Sequence, residues 1–109
     1  MVKRLPPDWY TVRCVFHWTL QHCYEERITV WRAASIEDAI AKAEREGERY
    51  AHDNPSAGIV RLDIAQAYHM YDRPKDGAEV YSLLRDSNLE PEEYIERHFT
   101  TGGERQREV

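Results

Sequence analysis

The chain reads as an α+β domain: a four-stranded antiparallel sheet made of two hairpins in the order ββαββα, with its helices on one face. Three observations predict this. Tyr10, Val12, Cys14, Phe16, Trp18 and Leu20 are apolar at every second position, the period of a half-buried strand. The run Ile28-Thr29-Val30-Trp31 then gives way at Ser35 to a pattern of helical period. After that helix, two further strand-like segments flank Arg73-Pro74-Lys75-Asp76-Gly77, a strong turn signal.

Residues 1–8 open with two prolines and two cations and are expected to be a flexible arm. The first strand carries Trp9, Thr11, Arg13, Val15, His17 and Thr19 on its second face. Its partner strand is β-branched and aromatic, the composition of a pleated surface. The turn at Gln21-His22-Cys23 lacks the usual Gly or Asn. A three-residue turn sets Phe16 opposite Ile28 and Cys14 opposite Val30. A two-residue turn would set Phe16 opposite Arg27 and bury charge. The first register is therefore expected, because a one-residue slip flips every side chain. It turns Glu26 inward near a sheet end, with Arg32 on the same face as its available partner.

Ser35 stands where an N-cap belongs, with Asp38 completing a shortened capping box. Glu37 and Asp38 place negative charge at the positive end of the helix dipole. Ile36, Ala39, Ile40, Ala43, Gly47 and Tyr50 form one apolar stripe. Gly47 costs about 1 kcal/mol against Ala in a helix interior, which predicts fraying beyond it. Residues 52–58, with Asn54-Pro55 and Gly58, are a loop. Alternation resumes from Ile59 to Asp72, too long for one ordinary strand, so a bulge is expected near Ala65-Gln66-Ala67. Ala78–Arg85 is the expected fourth strand. Pro91 opens a short helix whose apolar side is Tyr94, Ile95, His98 and Phe99. Residues 9–100 thus form a single domain, followed by a charged flexible tail over 101–109.

A chain of 109 residues has room for one core. A hydrophobic content of 41%, with three Trp, seven Tyr and two Phe, is above what disorder permits. The net charge of −5 and pI near 5.5 argue against a dedicated nucleic-acid binder. No apolar run reaches membrane-span length and the N-terminus shows no signal-peptide core, so a cytoplasmic location without membrane partners is expected. Cys14 and Cys23 fit that compartment as free thiols, at different heights of the first hairpin.

His17, His22, Cys23 and Cys14 match no zinc spacing, so no metal and no cofactor is expected. Glu25 and Glu26 point to opposite faces of a strand and cannot act together as an acid–base pair. No Ser-His-Asp order, phosphate loop or Cys-x-x-Cys is present.

Four stretches look like a bacterial family. They are Trp9-Tyr10-Thr11-Val12-Arg13, Tyr24-Glu25-Glu26-Arg27-Ile28, Ala33-Ala34-Ser35-Ile36-Glu37-Asp38-Ala39 and Asp76-Gly77-Ala78-Glu79-Val80-Tyr81-Ser82. On these residues the chain resembles the small-protein family catalogued as domain of unknown function number four thousand two hundred and eighty-eight. The resemblance spans residues 9 to about 85. That family has no assigned activity, so the resemblance implies the fold and a bacterial origin only.

The expected function is a non-catalytic protein-interaction module, binding a second copy of itself or acting as an immunity- or antitoxin-type protein that neutralises a basic toxin. With helices on one sheet face, the other would present Trp9, Arg13, His17, Arg27, Trp31, Tyr71 and Tyr81 as the interface. Trp and Tyr among arginines have the composition of an interface core. The alternative is a small-ligand or enzymatic domain with a polar pocket near Glu26, Arg32 and His69.

Overall fold

In a computed structural model of the chain, residues 7–99 and 101–105 are described; the expectations for residues 1–6 and 106–109 lie outside them. The elements are β1 (Asp8–Trp18), β2 (Cys23–Ala33), α1 (Ile36–His52), β3 (Ile59–Met70) and α2 (Pro91–His98), with a 3-10 turn at Pro55–Ala57 before β3. Among the described residues the sheet has three antiparallel strands in the order β2-β1-β3.

The expected fourth strand does not form. Ala78–Arg85 is an extended segment with no ladder, lying over the sheet face opposite α1. Leu83-Leu84 breaks the alternation that a strand needs, so no single face of this segment can be buried. Side chains hold it instead. The Thr11 hydroxyl donates to the Val80 carbonyl (2.5 Å), and the Tyr81 hydroxyl donates to Gln66 Oε1 (3.1 Å). The Tyr68 and Tyr81 rings lie 6.0 Å apart.

The first hairpin adopts neither expected register. Trp18 pairs with Cys23 across a four-residue turn, Thr19–His22, in which His22 takes a left-handed φ of 54°. Phe16 therefore stands opposite Glu25 and Cys14 opposite Arg27. Charge does face the core on β2, and α1 supplies its partners: Arg27 Nη1 donates to Glu46 Oε1 (3.0 Å). The Arg27 guanidinium lies 3.8 Å from the Tyr50 ring centroid and 5.5 Å from that of Phe16. Glu25 accepts from the Tyr50 hydroxyl (2.7 Å) and the Trp18 indole (3.1 Å). Amphipathic stems on Arg and Trp let them cover apolar surface while their polar ends are satisfied. This arrangement stabilises a register that hydrophobic pattern alone disfavours.

α1 starts as its sequence dictates. Ser35 is extended, its hydroxyl accepts from the Asp38 N–H (3.1 Å), and Asp38 reaches back to the Ala34 N–H (3.1 Å). The helix continues past Gly47 to His52, and Gly47 is packed rather than exposed. A Cβ there would stand 3.0 Å from Arg61 Cδ and 3.1 Å from Phe16 Cζ. Ala39 and Ala43 pack beside it on Tyr10, Val12, Cys14 and Phe16, and Ala33 and Ile59 close the core. Arg61 flanks Phe16 on the β3 side and pairs with Glu44 (3.4 Å) and Glu48 (2.7 Å). β3 is irregular between its pairings with Cys14 and Phe16, over residues 62–64 rather than 65–67.

α2 forms at the expected residues but buries no side chain. Among the described residues α1 is the helix that packs on the Tyr10–Trp18 face, which corrects the expectation that both helices share it. Ile95 is exposed and Phe99 is 77% exposed.

Candidate interaction surface

The sheet face away from α1 is built by alternation. On β1 it presents Trp9, Thr11, Arg13, Val15 and His17; on β2 it presents Tyr24, Glu26, Ile28, Val30 and Arg32. The extended segment after β3 covers part of it, and Thr11 and Met70 are fully buried there. The β2 side stays open, with Tyr24 64%, Ile28 47% and Val30 44% exposed. β2 is also an edge strand.

Polar contacts order this surface. Arg13 forms an ion pair with Glu26 and donates through Nη1 to Gln66 Oε1 (3.2 Å). The Glu26 hydrogen bond pushes the Arg13 pKa up, so the guanidinium stays charged. The His17 and Tyr24 rings stack at 4.4 Å and 7°. An open groove lies at the turn end of the hairpin, between Tyr24, Glu25 and Glu26 and the later residues Thr101 and Glu104.

The structure brings some of the expected interface residues onto one face and separates the others. Trp9, Arg13 and His17 are on the open face, and Tyr81 lies in the segment that crosses it. Arg27 and Trp31 are on the α1 side, because the observed register differs by an odd number of residues from the expected one and so reverses the faces of β2. The Trp31 indole donates to Thr29 Oγ1 (2.7 Å) and packs against the core cluster. Tyr71 follows β3 and faces His69, with ring centroids 5.1 Å apart.

The polar-pocket residues are also separated. Glu26 points outward, contrary to expectation, and is held by Arg13. Arg32 is at the other end of the same strand face. His69 is on the α1 side of β3, opposite Tyr10, and its Nε2 lies 2.5 Å from Asp8 Oδ2. That contact, with the Trp9 N–H second, lowers the Asp8 pKa. Among the described residues no group of three or more His, Cys, Asp or Glu side chains is placed to hold a metal. No described helix is long and apolar enough to cross a membrane. Both cysteines are free, and burial pushes the Cys14 thiol pKa up.

Sequence reasoning missed Tyr24, Ile28 and Val30 as surface residues. A signal for the true register was present in α1: Glu44, Glu46 and Glu48 border the Gly47 stripe and require cations on the facing strands. No family model, no curated protein and no solved structure matches the chain.

Proposed function

We propose that the protein is a non-catalytic interaction module whose contact surface is the strip Tyr24, Ile28 and Val30, bordered by Arg13, His17 and Arg32. The observation that carries this reading is three large apolar side chains about half exposed or more on one face of one strand, Ile28 and Val30 adjacent and Tyr24 beyond Glu26. Single exposed apolar residues are ordinary, whereas a contiguous patch rimmed by polar groups marks a binding surface. Action as an immunity or antitoxin protein is the narrower form of the same reading.

The test is site-specific photo-crosslinking in the cells that express the protein. A photoreactive residue at Val30 should give a discrete protein adduct. The same residue at Arg45, exposed on α1, should give none. Equal yields at the two sites, or no adduct from Val30, would remove the reading.

A further inference from the structure

We propose that the partner on this surface is a second copy of the chain, joined through β2 about a two-fold axis at Thr29. The inference rests on the reading just given and names the occupant.

β2 is an edge strand of eleven residues, free of Pro and Gly and without a register shift. Edges of that kind template pairing unless something covers them. The other edge, β3, is interrupted by its irregularity opposite Cys14 and Phe16. α1 reaches β2 as well, where Lys42 Nζ donates to the Arg32 carbonyl (2.7 Å); around Thr29 no hydrogen bond from another described segment reaches the β2 backbone outside the β1 ladder.

The sequence of β2 is self-complementary. A two-fold axis perpendicular to the sheet keeps each side chain on its own face, so only residues an even number apart can meet. Centred on Thr29, Ile28 meets the partner's Val30, and Glu26 meets the partner's Arg32; each contact occurs twice. On the α1 side, Thr29 meets its own copy and Trp31 meets the partner's Arg27. Apolar, opposite-charge and Thr–Thr pairs are the favourable cross-strand combinations. Centring on Ile28 instead sets Glu26 against Val30 and Tyr24 against Arg32. Centring on Val30 sets Ile28 against Arg32. Centring on Arg27 opposes two guanidinium groups. Only the Thr29 register matches both charge and apolarity.

Arg32 is exposed and makes no ion pair among the described residues, while Glu26 holds only Arg13 and has a second oxygen to offer. Pairing gives one six-stranded sheet, with Ile28 and Val30 of both copies as a continuous apolar strip.

Sedimentation equilibrium of the full chain from 1 to 100 µM tests this, and wild type should show a species of twice the 12.9 kDa monomer mass. R32E sets two carboxylates against each other at both ends of the contact, and E26R sets two guanidinium groups. Each variant alone should be monomeric, its dissociation constant raised at least tenfold, with an unchanged circular dichroism spectrum. Mixed in equal amounts, acid meets base at both ends and a heterodimer should return. A monomeric wild type at 100 µM, a dimeric R32E, or a mixture that stays monomeric would overturn the proposal. If wild type is monomeric while Val30 still crosslinks to a different protein, the contact surface stands and self-pairing falls. If Val30 crosslinks to nothing, both fall.

Discussion

Replacing Arg27 and Ile28 by Ala, separately, decides which face of β2 meets α1. In the structure Arg27 is three-quarters buried, with Glu46 at 3.0 Å and the Tyr50 ring at 3.8 Å. A cation over an aromatic ring contributes about 1 kcal/mol, more when desolvated. Deleting the charge also strands the Glu46 carboxylate, itself three-quarters buried, which costs about 1–2 kcal/mol further. R27A should therefore lose about 2–3 kcal/mol in urea unfolding. Ile28 is 47% exposed, so I28A should lose under about 1 kcal/mol, because little of its surface is removed from water on folding. Were Phe16 opposite Ile28 instead, Ile28 would be core and its truncation would cost about 2–5 kcal/mol, with Arg27 then on the surface. The measurement is equilibrium urea unfolding near 1 µM protein, low enough that assembly through β2 does not add to Ile28's share. A larger loss for I28A than for R27A would refute the register and every face assignment built on it. E46Q in the same background closes the cycle: its effect should shrink when Arg27 is already absent.

Two further outcomes follow from the packing. At Gly47 the helix-propensity gain of Ala, about 1 kcal/mol, opposes a Cβ placed 3.0 Å from Arg61 Cδ and 3.1 Å from Phe16 Cζ. Phe16 is fully buried and Arg61 is tied to Glu44 and Glu48, so neither yields freely. Overpacking of about 1–3 kcal/mol wins, and G47A should melt lower than wild type; a higher melting temperature would show that the helix stands further from the sheet. The Asp8 carboxyl, lowered by the His69 contact, contributes stability at pH above its unfolded pKa, and loses it as pH falls through the lowered value. Carboxyl-carbon NMR titration should find Asp8 below the ordinary carboxylate range, and H69Q should bring it back up. No change on H69Q would mean that the two side chains do not meet.

Local rules written in the sequence were enough for the parts of the fold that depend on neighbours along the chain. Period two marks β1, Ser35 and Asp38 set the start of α1, and Pro91 opens α2, because each rests on contacts within about four residues. The α+β class and the antiparallel first hairpin follow from the same information. The register of that hairpin does not. Hydrophobic alternation in β2 favours Ile28 and Val30 inside, but the observed structure turns Glu25, Arg27 and Trp31 inward. What decides it is α1, whose Glu46 and Tyr50 satisfy those groups from a different part of the chain. The same reason moves Glu26 outward to Arg13 and makes Tyr24, Ile28 and Val30 a surface strip. It also leaves Gly47 as the close-approach point between helix and sheet, not a weak link. Residues 78–85 carry strand formers such as Val80 and Tyr81, yet strand formation needs a backbone ladder with a neighbour. Tertiary contact supplied Thr11 and Gln66 across a sheet face instead. A sequence states which side chains can be satisfied locally; which buried charges find partners is settled only when distant segments meet.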